Sequence, residues 1–150
     1  MPIASAGAWH FTVLIGHDWI ADIGVRALNH ARANRPQLAG YEWTERHGFS
    51  VFHGAPAVIV ISGREALPVA LEECTRAALI VDIAARPRGL GLCWVGAPMM
   101  YLRSSEGLAE LRIPDGWKPH VALAVGYTRE LEPPPPAAPR PPLEIDWLDG

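Results

Sequence analysis

No stretch of this 150-residue chain reaches the roughly 18 consecutive apolar residues that a membrane-spanning helix needs. The apolar start, residues 1–15, lacks the basic flank of a secretory signal and contains His10. These absences predict a cytoplasmic protein with no membrane partner. Cysteine is scarce, with only Cys74 and Cys93, both in apolar surroundings. That pattern excludes a disulfide framework or a cysteine metal site and predicts two buried free thiols. No basic run offsets the net charge of −3, so a nucleic-acid footprint is not expected. His10, His17, His30, His47, His53 and His120 show no metal-ligand spacing such as HExxH. There is no GxSxG elbow for a serine hydrolase, no P-loop and no internal repeat.

What is present is the composition of a globular protein: 49% hydrophobic and 19% charged residues. The length suits one domain over 1–150, which buries roughly 68–70% of its unfolded surface. WHFTVLI at 9–15 is short, aromatic and β-branched, and predicts a buried strand that Gly16 stops. Asp18 is a candidate N-cap for a helix to about Asn34, with Ile20, Ile23, Ala27, Leu28 and Ala31 on one face. AVIVI at 57–61 is continuously apolar, so it should be covered on both sides and end at Ser62 and Gly63. After Pro68, residues 69–85 are apolar almost all round and predict a central helix, ended by Pro87 and Gly89. A strand at 92–95, a short helix at 104–111 capped by Ser104 or Ser105, a turn at 113–116 and a buried strand at 121–127 complete the core.

The block GLGLCWVG at 89–96 stands out. Glycine is used where backbone turns sharply or where something approaches it closely. It admits two readings, a helix C-cap leading into a buried strand or a loop that meets a ligand. It is not a dinucleotide fingerprint, because the third glycine is missing and the block follows a helix.

The tail has its own chemistry. Prolines at 133–136, 139, 141 and 142 exclude helix and central strand. They predict an extended arm, about 3.1 Å per residue and roughly 30 Å long. Beyond it, LEIDWL at 143–148 alternates like a strand, as an arm would whose last segment lies on a partner subunit.

Several blocks, in order, give the chain a resemblance to the nitroreductase-like family of FMN-dependent oxidoreductases. ASAG at 4–7 with WHFTV at 9–13 resembles the family's first core strand. FHGAPAVIV at 52–60 is similar to its second. Glu73 and Cys74, followed by GLGLCWVG, are similar to its central helix and flavin loop. LRIP at 111–114 and VALAVGY at 121–127 resemble its late turn and strand, and PRPPL at 139–143 its C-terminal arm. The resemblance implies an α+β fold with a central, mostly antiparallel sheet flanked by helices, and an extended arm over 131–150. It implies a homodimer with flavin at the subunit interface. It implies electron transfer from NADH or NADPH to a nitro, quinone or similar small-molecule acceptor. By the same resemblance, Trp94, Val95 and Gly96 contact FMN, Gly89 and Gly91 shape the loop, Arg140 partners the phosphate and Ser5 touches the ribityl or phosphate end. The flavin does the chemistry, so no catalytic side chain and no metal is assigned. Tyr41, Trp43, His47 and Phe49 fall where the family has a variable segment over the flavin, either lining a substrate pocket or covering core.

The departures are specific. The family's Arg-Arg-Ser-x-Arg motif is not in these residues, only Ala8 stands where Asn-x-Gln-Pro precedes the strand tryptophan, and Leu79 and Ile80 hold positions often taken by Gln and Asn. Losing two or three charge-assisted hydrogen bonds removes roughly 3–9 kcal/mol, or about two to six decades of affinity. Two alternatives follow: a cofactor-free or weakly flavin-binding dimeric scaffold, or a fragment of a longer nitroreductase.

Overall fold

A computed structural model describes residues 7–35, 44, 48–128, 144 and 146–148. Its elements run β1 (Trp9–Ile15), α1 (His17–Asn34), β2 (Ala57–Arg64), α2 (Ala70–Ala85), a 3-10 turn (Arg86–Arg88), β3 (Leu90–Trp94), α3 (Met99–Leu102), α4 (Ser105–Glu110) and β4 (Trp117–Tyr127). The strands form one sheet in the order β1-β2-β4-β3, every neighbouring pair antiparallel. This is the expected α+β fold with an antiparallel sheet.

The sheet separates two cores. On one side Leu14, Val58, Val60, Ala122 and Ala124 pack with Ile20, Ile23, Ala27, Leu102 and Ile113. On the other, Ile61, Val121 and Leu123 meet Cys74, Ala77 and Ala78 of α2. Strand β2 contributes to both cores, as a continuous apolar run should.

Five expectations need correction. WHFTVLI forms β1 but is not a buried strand: it lies at the sheet edge, covered by a single neighbour, with only Leu14 buried. Asp18 is not the N-cap of α1. Gly16 takes that place at φ 125°, because the chain can leave β1 sharply only through a positive φ, and Asp18 falls in the first turn. Its carboxylate there faces the positive end of the helix. Strand β2 does not end at Ser62 and Gly63 but runs to Arg64. Pro119 has no N–H for the ladder, so the register shifts between Ile61 and Ser62 and passes over His120. Gly63 is needed because a Cβ there would lie 2.8 Å from Ala70 Cβ and 3.2 Å from Cys74 Sγ.

Helix α2 is not enclosed by its own chain. Small residues, Ala70, Cys74, Ala77 and Ala78, face the sheet, while Leu79, Ile80 and Ile83 project outward and are exposed. Finally, Cys93 is exposed and only Cys74 is buried. Cys93 lies on an edge strand, where a single neighbour, β4, covers it.

Strands β3 and β4 start earlier than expected, at Leu90 and Trp117, and β3 ends at Trp94. The short helix α3, with Leu102 fully buried, was not foreseen. Pro98 just before it was the available signal. Ser104 caps α4 as expected, its Oγ accepting from Gly107 N at 3.1 Å. In the tail, Glu144, Asp146, Trp147 and Leu148 carry no strand assignment, and Trp147 and Leu148 are exposed. The rest of the expected arm lies outside the described residues.

Candidate functional site

Strands β1 and β3 are the two edges of the sheet and point in opposite directions. The register, however, sets Trp94 level with Leu123, Ile59 and Val13, so β3 ends across from the second half of β1, three strand spacings or about 14 Å away, and not across from its start. Beside the start of β1 lie the end of β2 and the start of β4. There Arg64 Nε donates to Gly7 O at 3.1 Å, and its guanidinium sits 4.8 Å from the Trp117 ring centroid. Topology thus sets the first block of the resemblance and the GLGLCWVG block on opposite edges of the sheet, with Leu92 level with Ile15 at the end of β1.

Within that block the glycines differ. Gly89 has φ 69° and caps the 3-10 turn, its N–H donating to Arg86 O at 3.0 Å. Its carbonyl accepts from Thr128 N at 3.0 Å and from Thr128 Oγ1 at 3.1 Å. A Cβ on Gly91 would fall 2.7 Å from Thr128 Cγ2. Gly89 is thus required by the backbone it caps, as the capping reading predicts, and at Gly91 a side chain would have to displace the Thr128 methyl. At Gly96 the φ is not positive, and a Cβ would meet nothing within 4 Å. Trp94 is 47% exposed, whereas Val95 is buried and its N–H donates to Ala122 O at 2.9 Å. The half-exposed indole and the open space beside Gly96 fit a planar aromatic group against the end of β3. The Val95 N–H is already committed to the sheet. Ser5 and Arg140 lie outside the described residues. Arg103 Nε donates to Pro119 O at 2.8 Å, at the end of the sheet where β1 starts.

Of the aromatic segment, Phe49 is described, and Tyr41, Trp43 and His47 lie outside the described residues. Phe49 packs against the first core and also lines two cavities. One, of about 110 Å³, is bounded by Ala21, Gly24 and Leu28. The other, of about 670 Å³, is open and bounded by His17, Ser50 and His53. It sits by the end of β1, at the sheet edge opposite β3.

Sequence reading missed a charged cluster. Tyr101 Oη donates to Glu110 Oε2 at 2.5 Å, and Arg26 donates to both Glu110 oxygens, at 2.5 and 3.3 Å. Burial pushes the Glu110 carboxyl up, but the hydrogen bonds from Tyr101 and Arg26 outweigh it and hold the group below the usual carboxylate range. The Tyr101 phenol is raised, by burial first and then by Glu110. The cluster fastens α1 to α3 and α4. Its members are 84 and 9 residues apart, so local spacing carried no signal. Cys74 is pushed up to about 11 by burial and then by Glu73, so it stays a thiol at neutral pH. Among the described residues no group of three or more His, Cys, Asp and Glu could hold a metal ion, and no helix is long and apolar enough to cross a membrane.

The nitroreductase family profile matches residues 4–127. The chain belongs to the nitroreductase family. Among solved structures, a nitroreductase with bound FMN from Bacteroides fragilis shares 20% identity over 89% of this chain and 72% of that one, with a TM-score of 0.72. A nitroreductase with bound FMN from Desulfitobacterium hafniense shares 21% over 89% and 73%, with a TM-score of 0.71. An iodotyrosine deiodinase bound to FMN and 3-iodo-L-tyrosine shares 19% over 96% and 78%, with a TM-score of 0.68. At these identities the likeness shows the fold.

Proposed function

We propose that the chain is an FMN-dependent oxidoreductase that passes electrons from NADH or NADPH to a nitro, quinone or similar small-molecule acceptor, and that it works as a homodimer. The observation that supports this most is the half-exposed Trp94 beside the open space at Gly96, at the end of edge strand β3, in a chain whose family match spans residues 4–127. FMN, when bound, supplies hydride acceptance and release, and the protein supplies position and surroundings. In this reading Gly96 leaves room for a ring edge to approach the backbone. Trp94 shields one side of that ring from water. Val95 fixes the loop, through its buried side chain and its bond to Ala122. Ser5 and Arg140 hold the ribityl and phosphate end, as the family resemblance implies.

The homodimer is supported by the outward face of α2, where Leu79, Ile80 and Ile83 are 54%, 64% and 60% exposed. Apolar side chains at successive turns of one helix make a continuous patch, and large exposed patches mark interaction surfaces.

Titration of the purified protein with FMN tests the enzyme reading. Quenching of flavin fluorescence, with oxidation of NADH or NADPH in the presence of a nitroaromatic or quinone, is the expected result. No quenching and no oxidation would remove it. The dimeric scaffold then takes its place, a reading favoured by one observation: Gly89, Gly91 and the Val95 N–H are already used by the fold itself.

A further inference from the structure

Among the described residues, the buried side-chain polar atoms without a hydrogen-bond partner are Trp9 Nε1, His10 Nδ1, Thr12 Oγ1 and Ser62 Oγ. All of them sit at one corner of the sheet, where β1 begins and β2 ends. Buried polar atoms in folded proteins are nearly always satisfied by protein or by ordered water. Orphans gathered in one corner therefore mark a local site.

Three of the four share a face. His10 lies opposite Ser62, and Thr12 lies opposite Val60. Strand alternation puts His10, Thr12 and Ser62 on the side of Leu14, Val58 and Val60, the side covered by α1. Trp9, opposite Gly63, points to the α2 side and is separate. Side chains directly opposite have Cβ atoms about 4.5–5.5 Å apart, and diagonal neighbours about 7–8 Å. His10, Thr12 and Ser62 can thus all reach one small polar molecule placed among them. Ser62 is 0% exposed, so nothing much larger than water enters without opening the sheet.

We infer that His10, Thr12 and Ser62 hold one buried water molecule that pins the start of β1 to the end of β2. The chemistry matches on each arm. The two hydroxyls each donate or accept, and a neutral imidazole accepts at Nδ1 when its proton is on Nε2. Three partners is the usual number for a buried water. The same corner is fastened from outside by Arg64 on Gly7 and by the His10 ring, 5.7 Å from that of Trp117. The inference holds whether or not flavin binds.

Water magnetic relaxation dispersion on the full chain, with Thr12→Val, Ser62→Ala and the double variant, tests it. Wild type should hold one more long-lived water than the double variant. Each single variant should lower the folding equilibrium constant in urea about three- to tenfold, the range of one net hydrogen bond. A dry corner reverses the sign, because removing an unsatisfied hydroxyl raises the constant. An unchanged water count, from a dry corner or from a protein group filling it, overturns the inference. Far-UV circular dichroism of each variant separates these outcomes from loss of folding.

Discussion

Toward α1, α3 and α4, the sheet presents Leu14, Val58, Val60 and Ala122 to large partners, Ile20, Ile23, Phe52 and Leu102, all fully or nearly fully buried. Toward α2, the partners are small, and the large side chains turn away. Ala77 and Ala78 face the sheet, while Leu79, Ile80 and Ile83 face outward and Phe11, Val13 and Ile15 of β1 are 44%, 55% and 76% exposed. One face is closed by the chain's own bulk, and the other is left with unspent apolar area. Burial of apolar surface is worth about 25 cal/mol per Å² wherever it happens. The difference teaches where stability resides in the single chain and where the proposed homodimer would add to it.

The sharpest way to break this comparison is to mutate one residue from each side. Leu102→Ala on the closed side should cost about 2–5 kcal/mol in urea unfolding, the range for a buried leucine. A cost under about 1 kcal/mol would mean that the closed side is not the main core. Ile80→Glu on the open side should leave the chain folded and convert a dimer to a monomer in sedimentation velocity. A variant that stays dimeric would remove α2 from the interface.

Much of this division could be read in the sequence, but not its direction. The apolar run at 57–61 announced a strand covered on both sides, and the periodicity of 20–31 announced the inner face of α1. The run at 69–85 announced an apolar helix, and an all-apolar helix reads as buried. Only the structure shows that its alanines, Ala77 and Ala78, point inward, and its isoleucines, Ile80 and Ile83, outward. Residue size against the sheet decides that, and size has no period of its own. The bulge at Ser62 depends on Pro119, far along the chain, so no local pattern could have placed it. At the candidate site, the spacing of 89–96 was legible. The capping role of Gly89 and the crowding of Gly91 by Thr128 were not, since Thr128 is also distant in sequence.

A smaller effect sharpens the closed side through pH. Burial raises the folded pKa of Glu110, but the hydrogen bonds from Tyr101 and Arg26 outweigh it and leave the group depressed. A depressed carboxylate adds stability that is fully present above its unfolded pKa, near 4.3, and is lost as pH falls through the folded value. Glu110→Gln should therefore cost about 1–2 kcal/mol at pH 7, discounted because Arg26 is partly exposed, and almost nothing near pH 2. Unfolding curves of the variant and wild type at several pH values should converge in acid. A constant gap would mean that the cluster acts by packing and not by charge.

The smallest effect changes no stability at all and compares the two cysteines. Cys74 lies between α2 and the sheet, fully buried, with its thiol pushed up to about 11 by burial and then by Glu73. Cys93 is exposed on the edge strand β3. A thiol reacts as its thiolate, so burial and the raised pKa both protect Cys74. In native protein at pH 8, a disulfide reagent should label Cys93 promptly and leave Cys74 untouched until unfolding. Labelling of Cys74 at a comparable rate would show that α2 leaves the sheet readily. The small-residue contact through Ala77 and Ala78 would then hold much less firmly than the core on the other side.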